Sequence, residues 1–114
     1  MGDLTLHTSL NNVTTVTMNN PGKFNAWNPK MVADMREAFQ EVAKDQNSKV
    51  MILTGSDPYY SSGGSFGPEE LMGFLRSKLG SLKPSIAAYF LALFDNFLSF
   101  PKPILAAVNG PAIG

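Results

Sequence analysis

The chain has 114 residues, of which 44% are hydrophobic, and this is enough apolar material for the core of one folded domain. Nine basic and nine acidic residues leave no net charge that would favour binding to nucleic acid or to an anionic membrane. There is no cysteine and only one histidine, His7, which excludes a disulfide framework, a thiolate nucleophile and a multi-histidine metal site within these residues.

The first third of the chain predicts a β-hairpin followed by a helix. Apolar and polar residues alternate from Leu4 to Leu10, and a Val- and Thr-rich run, Val13 to Met18, follows the pair Asn11-Asn12. Asn28-Pro29 then provides a helix cap with proline in the first turn, and apolar residues recur at helical spacing. We expect a helix over residues 29–45, with its charged residues on a solvated face. These charged residues are Lys30, Asp34, Glu37, Glu41 and Lys44.

The rest of the chain indicates an α/β fold with a parallel sheet. Val50 to Thr54 forms a short apolar run, typical of a strand that is covered on both faces, and residues 104–108 form a second buried-type strand. Between these strands, helices are predicted from Pro68 and from Ser85 to about Ser99. The apolar stretch 86–100 is interrupted and too short to cross a bilayer, so no membrane span is expected. The chain stops directly after a strand and a Gly-rich turn, and we therefore expect it to continue in a longer protein.

Most polar residues have a simple structural interpretation. His7 is expected at the surface of an edge hairpin, Ser61 and Ser62 are expected to hydrogen-bond the nearby backbone, and Asp95 is expected to face outward. Glu69 and Glu70 open a helix, where their charge favours the N-terminal dipole. None of these residues has an apparent catalytic partner in the sequence.

Two glycine-rich turns are better candidates for chemistry. Gly63-Gly64 follows one buried strand and Gly110 to Gly114 follows another, so both turns should present backbone amides at the same edge of the sheet. Amides in such turns can stabilise an oxyanion. Their spacing does not fit a phosphate-binding P-loop or a dinucleotide fingerprint.

Taken together, the motifs resemble the crotonase superfamily of enoyl-CoA hydratases and isomerases, and most closely its branch of peroxisomal-type enoyl-CoA delta isomerases. The resemblance covers almost the whole chain. It rests on the order and spacing of several short motifs, namely Val16-Thr17-Met18-Asn19-Asn20-Pro21, Lys23-Phe24-Asn25-Ala26, the helix from Pro29, Val50-Met51-Ile52-Leu53-Thr54-Gly55, Tyr59-Tyr60-Ser61-Ser62-Gly63, Phe100-Pro101-Lys102-Pro103 and Asn109-Gly110-Pro111-Ala112-Ile113-Gly114.

The resemblance implies a spiral of ββα units, of which residues 1–114 would be the N-terminal part of one domain, truncated after the Asn-Gly-x-x-x-Gly turn. It also implies a homo-oligomer, trimeric or hexameric, in the peroxisome or alternatively the mitochondrion. The substrate would be an unsaturated fatty acyl-CoA, with coenzyme A as part of the substrate and no separate cofactor or metal. Hydratase or other acyl-CoA activity, or a non-catalytic CoA-binding or assembly module, are the alternatives.

The resemblance further assigns roles to residues. The Gly64 amide would be one of two donors to the thioester oxygen, although most relatives have Ala or Asn there, followed by Asp, where this chain has Gly64 and Ser65. The second donor would directly follow Gly114, and the catalytic carboxylate would lie further along. No Glu here matches that carboxylate, so residues 1–114 alone are expected to be inactive. The residues expected to contact substrate are Lys23, Phe24, Asn25, Ala26, Ser62, Gly63, Gly64, Gly110 and Gly114.

Overall fold

The computed structural model describes residues 3–64 and 94–113. Of these, residues 3–64 and 100–113 belong to one compact unit, and residues 94–99 belong to a second. The first unit contains a four-stranded sheet with strand order β1-β2-β3-β4 and one long helix. The helices predicted from Pro68 and Ser85 lie outside the described residues, apart from the end of the second one.

The predicted hairpin is confirmed. Strands β1 (Thr5–Leu10) and β2 (Val13–Met18) pair antiparallel, with Leu10 opposite Val13. The turn between them holds Asn11 and Asn12 at φ 53° and 66°. Asn tolerates this left-handed conformation better than most residues do, so the pair Asn-Asn favours a tight connection.

The predicted helix is also confirmed, as α1 (Pro29–Lys44). The Asn28 side chain accepts a hydrogen bond from the Met31 amide at 2.8 Å, which caps the first turn. The apolar residues recurring along α1 are buried and pack against β1 and β2. They are Met31, Val32, Met35, Ala38, Phe39 and Val42.

The charged face of α1 is less solvated than its sequence indicates. Asp34 is only 6% exposed, and its carboxylate accepts hydrogen bonds from the Leu4 backbone amide and the Lys30 ammonium, both at 3.1 Å. The expectation of a solvated Asp34 is therefore wrong. A helix pattern does not reveal that the segment before β1 ends with an amide in need of an acceptor.

The sheet is completed by β3 (Val50–Gly55), which pairs parallel with β2, and by β4 (Ile104–Ala107), which pairs parallel with β3. The predicted α/β class with parallel pairing is confirmed. In β3, Met51, Leu53 and Gly55 are buried, but the alternate residues are only partly covered. In β4, Leu105 is 59% exposed. The expectation of two buried strands is therefore wrong, because in the described part of the chain α1 covers one face of the sheet.

The second unit is described from residue 94. Residues 94–98 are helical, and the Ser99 amide and hydroxyl both donate to the Asp95 carbonyl at the helix end, at 2.9 and 2.6 Å. Asp95 is exposed, as predicted. Phe94 and Leu98 are also exposed, so this end of the helix lacks the burial that its apolar sequence predicts. None of the helices within the described ranges is long and apolar enough to cross a membrane.

Candidate functional site

The two predicted glycine turns meet at the carboxyl edge of the parallel strands. Ser61 and Ala112 form a parallel bridge, in which the Ile113 amide donates to the Ser61 carbonyl at 3.0 Å. The Tyr60 amide donates to the Pro111 carbonyl at 3.1 Å. The expectation that these loops share one edge is confirmed for residues 61–64 and 110–113, while Gly114 lies outside the described residues.

A third segment, residues 23–27, runs beside the first glycine turn. The Ser62 amide donates to the Phe24 carbonyl at 2.9 Å, and the Trp27 amide donates to the Gly63 carbonyl at 2.8 Å. Trp27 and Gly64 form a parallel bridge. The Lys23-Phe24-Asn25-Ala26 motif is therefore hydrogen-bonded directly to the turn that carries Gly64.

Asn25 is the centre of this arrangement. Its side chain is completely buried, and Phe24 and Asn25 both adopt left-handed backbone conformations, with φ 53° and 55°. The Asn25 Nδ2 donates to the Ser56 and Tyr59 carbonyls, both at 2.9 Å, and Oδ1 accepts from the Asn20 amide at 2.8 Å. Asn25 thus fixes the loop that leads from β3 to Ser61.

The hydroxyls of Ser61 and Ser62 bond to backbone, as expected. The buried Ser61 Oγ donates to the Asn25 carbonyl at 2.8 Å and accepts from the Gly63 amide at 3.0 Å. The Ser62 Oγ donates to the Lys23 carbonyl at 3.4 Å. Only the Ser61–Gly63 bond is local in sequence. The other two bonds connect the serines to residues 23–25, which are distant in the sequence.

Gly64 is an exposed residue of the first glycine turn. Gly63 is buried and has φ 92°, a conformation that favours glycine, whereas Gly64 is exposed. Among the described residues, no acceptor bonds to the Gly64 N–H. An amide of this kind, held at a turn, is suited to bind a developing negative charge on oxygen.

Close backbone contacts hold the second turn in place. A Cβ on Gly110 would collide with the Pro58 carbonyl oxygen, so this position accepts only glycine without a shift of the loop. The neighbouring Asn109 accepts a hydrogen bond from the Gly55 amide at 3.1 Å and donates to the Asp57 carboxylate at 3.3 Å. This role of Asn109 in joining the two loops was not predicted from the sequence, although its place two residues after β4 is a signal for it.

The residues predicted to contact substrate differ in exposure. Lys23 and Phe24 are exposed, and the Phe24 ring lies 4.5 Å from the ring of Tyr59. Asn25 and Ala26 are buried, with 0% and 4% of their surface exposed, so their side chains are not available to a ligand in this structure. Partial burial also raises the pKa of the Tyr60 hydroxyl above its ordinary value.

The Asp57 carboxylate is hydrogen-bonded to Asn109 beside the second turn, and Glu69 and Glu70 lie outside the described residues. No group of three or more His, Cys, Asp or Glu side chains within residues 3–64 and 94–113 is placed to hold a metal ion.

His7 lies away from this edge and is not an ordinary surface residue. Its side chain is 18% exposed, and Nδ1 lies 3.7 Å from a carboxylate oxygen of Glu41 on α1. Its Nε2 is buried without a hydrogen-bond partner among the described residues. His7 is partly buried because the face of β1 that α1 covers carries Thr5 and His7, and not Leu6 and Leu10.

Comparison with known proteins agrees with this geometry. The family profile described as enoyl-CoA hydratase/isomerase matches residues 8–114. The mouse (Mus musculus) protein enoyl-CoA delta isomerase 3, peroxisomal, is 37% identical over 112 residues, and human (Homo sapiens) enoyl-CoA delta isomerase 2 is 37% identical over 110 residues.

Those alignments cover 96% and 94% of this chain, but only 33% and 26% of the mouse and human proteins. The crystal structure of an enoyl-CoA hydratase/isomerase from Xanthobacter autotrophicus Py2 aligns with a TM-score of 0.74 and 25% identity, over 97% of this chain and 40% of that one. The chain therefore spans about a third of the length of such relatives. The resemblance identified from the motifs is confirmed, and the chain, with its partial crotonase fold, belongs to the enoyl-CoA hydratase/isomerase family.

Proposed function

We propose that these residues form the N-terminal part of an enoyl-CoA delta isomerase, which shifts a double bond in an unsaturated fatty acyl-CoA during fatty-acid β-oxidation. The observation that carries the proposal is Gly64, an exposed residue whose amide has no acceptor among the described residues, at the edge where two glycine turns meet. The similarity to mouse and human delta isomerases supports this reaction over others of the family.

In the proposed mechanism, a base removes a proton from the carbon next to the thioester and returns it to a more distant carbon of the acyl chain. The electrons move into a dienolate, whose negative charge rests on the thioester oxygen. The Gly64 N–H stabilises this oxygen, and one such donor typically contributes about 3 kcal/mol to transition-state stabilisation. The second donor and the carboxylate base follow Gly114 in the chain, and proton transfer of this kind needs no redox cofactor.

The loop beside Gly64 is proposed to contact the CoA nucleotide. The exposed Lys23 supplies a positive charge suited to phosphate, and the exposed Phe24 ring supplies an apolar surface. Asn25 and Ala26, being buried, contribute by holding the backbone of this loop. By the same resemblance, we propose that the protein is a peroxisomal homo-oligomer, trimeric or hexameric.

The test is to incubate the full-length natural protein that contains this sequence with a 3-enoyl-CoA and to separate the products. Formation of the 2-enoyl-CoA isomer without a change in mass is expected. A second incubation, with a 2-enoyl-CoA, tests the hydratase alternative, because hydration needs a double bond conjugated to the thioester. Accumulation of a 3-hydroxyacyl-CoA, heavier by one water, in that incubation, with the 3-enoyl-CoA left unchanged in the first, would identify the protein as a hydratase. Recovery of both substrates unchanged would contradict both activities.

Residues 1–114 alone are expected to show no turnover in the same assay, because they provide one of the two amides and no matching base. Measurable isomerisation by this piece would contradict the proposed location of the base.

A non-catalytic CoA-binding or assembly module is the second candidate. The exposed apolar side chains Phe94 and Leu98 favour it, because such residues often mark a contact with another chain. In sedimentation of purified residues 1–114, a soluble monomer would contradict an assembly module. Self-association fits either candidate, and the two are then separated by turnover of the full-length natural protein.

A further inference from the structure

The hydroxyl of Ser61 connects the two segments that surround Gly64. Ser61 is 4% exposed and lies in the loop that follows β3. Its Oγ donates to the Asn25 carbonyl at 2.8 Å and accepts from the Gly63 amide at 3.0 Å. The single proton of this hydroxyl is therefore donated to one backbone group, and one of its two acceptor sites is used by another.

These bonds determine where the Gly64 N–H points. The Gly63 carbonyl and the Gly64 N–H belong to one trans peptide group, so they point in opposite directions. The Trp27 amide binds that carbonyl at 2.8 Å, which turns the Gly64 N–H away from Trp27. Ser61 holds the preceding peptide group through the Gly63 N–H.

Gly63 needs this support on both sides. Its φ is 92°, and glycine is the residue with the widest choice of backbone conformations. Without a partner for the Gly63 N–H, the turn gains alternatives in which the Gly64 N–H points elsewhere. A donor that is already oriented before substrate binds lowers the barrier more than one that must be reoriented during the reaction.

We propose that Ser61 is a positioning residue for the Gly64 amide and thereby sets how strongly the thioester carbonyl is polarised. This inference rests on the proposed function, in which Gly64 binds the thioester oxygen. Ser61 itself transfers no proton and does not touch the substrate.

The test compares three variants of the full-length natural protein. Ser61→Ala removes both hydrogen bonds, and Ser61→Thr retains the hydroxyl. Ser48→Ala is the matched control, because Ser48 is equally buried at 2% exposure and its Oγ lies 2.6 Å from the Thr14 hydroxyl, ahead of the opposite, amino end of β3. The readouts are kcat, KM and thermal stability, together with the infrared frequency of the thioester carbonyl in bound butyryl-CoA labelled with carbon-13.

Ser61→Ala is expected to lower kcat about 10- to 100-fold, the range that follows from a small misplacement of a catalytic group, with little change in KM. The labelled carbonyl should shift to lower frequency on binding to the natural protein and shift less in Ser61→Ala. Ser61→Thr should recover most of both effects. Ser48→Ala should lower stability to a similar extent without changing kcat or the carbonyl frequency.

Two outcomes would overturn the inference: an unchanged kcat and carbonyl frequency in Ser61→Ala, or an equal loss of both in Ser48→Ala. Should Ser61→Ala fail to fold, Ser61→Cys takes its place, because a thiol fills the same space with much weaker hydrogen bonds. Absence of any carbonyl shift in the natural protein would instead contradict the proposed function, which separates the two failures.

Discussion

Asn25 illustrates how one side chain organises a loop that is distant in the sequence. Its carboxamide bonds to backbone groups of Asn20, Ser56 and Tyr59, and no part of it is exposed. The resemblance assigned Asn25 to substrate contact, whereas its position in the structure makes it a support for residues that do reach the surface. The same family motif thus contains both exposed and buried residues with different roles.

Replacing Asn25 provides a test of this role. Asn25→Ala removes the side-chain hydrogen bonds to three partly buried backbone groups and forces Ala into the left-handed region, so we expect a loss of about 3 kcal/mol in the free energy of unfolding. Asn25→Gly removes the side chain without the backbone strain and should be about 1 kcal/mol more stable than Asn25→Ala. Chemical denaturation measures both, and equal stabilities of the two variants would contradict the assigned conformation.

Gly55 provides a second prediction at this scale. A Cβ there would meet the backbone oxygen of Tyr60 and would lie 2.7 Å from that of Tyr59. Gly55→Ala should therefore lower the free energy of unfolding by about 1–3 kcal/mol, as overpacking does elsewhere. Gly22→Ala is the control, since nothing lies within 4 Å of its Cβ position, and it should stay within about 0.5 kcal/mol of the unchanged chain. Equal effects at the two glycines would rule out the close contact at Gly55.

At the scale of the elements, the C-terminus of α1 is capped by the side chain of a residue far along the chain. The Lys102 ammonium donates to the carbonyls of Val42 and Asp45, both at 2.7 Å. Next to it, the ring of Phe100 contacts Phe39 of α1 with their centroids 5.8 Å apart. The segment between the second unit and β4 is therefore bound to the C-terminus of α1, where a positive charge also favours the helix dipole.

Lys102→Met tests this cap. The substitution keeps the aliphatic chain and removes two charge-assisted hydrogen bonds, so the free energy of unfolding should fall by about 1–2 kcal/mol. Lys49→Met is the matched control: Lys49 is exposed, and its ammonium has no hydrogen bond or ion pair among the described residues. A loss in Lys49→Met as large as that in Lys102→Met would show that the charge alone, and not the cap, matters.

The elements that the sequence predicts well are those with local signals. The cap Asn28, the proline after it and the apolar spacing identify α1 without any knowledge of the rest of the fold. The Asn11-Asn12 pair likewise marks the hairpin turn. What the local pattern misses is the face on which an element is covered: Leu6 and Leu10 are 50% and 75% exposed, whereas Thr5 is 3% exposed. That choice depends on where α1 packs, which is not encoded within β1.

At the scale of the whole molecule, the sequence predicts which loops meet at the candidate site better than it predicts the hydrogen bonds that hold these loops. The rule that parallel strands direct their loops to one edge brings the two glycine turns together, as observed in the bridge between Ser61 and Ala112. The ties that hold these loops join residues more than thirty positions apart, such as Asn25 with Tyr59 and Ser61 with Asn25. Periodicity and turn chemistry carry no information about such pairs. That residues 1–114 form part of a single domain stays a prediction.

The most direct test of the account is to remove the Gly64 N–H while leaving the side of the turn that binds Trp27 intact. Gly64→Pro lacks this N–H but keeps the Gly63 carbonyl, which binds the Trp27 amide. Gly64→Ala is the control and keeps both groups. Alanine is suited to this position because Gly64 does not have a positive φ. The measurement is kcat for isomerisation of a 3-enoyl-CoA by the full-length natural protein. The account predicts that Gly64→Pro is about 100- to 1,000-fold slower than Gly64→Ala. Equal rates in the two variants would contradict the assignment of Gly64 as a donor to the thioester oxygen.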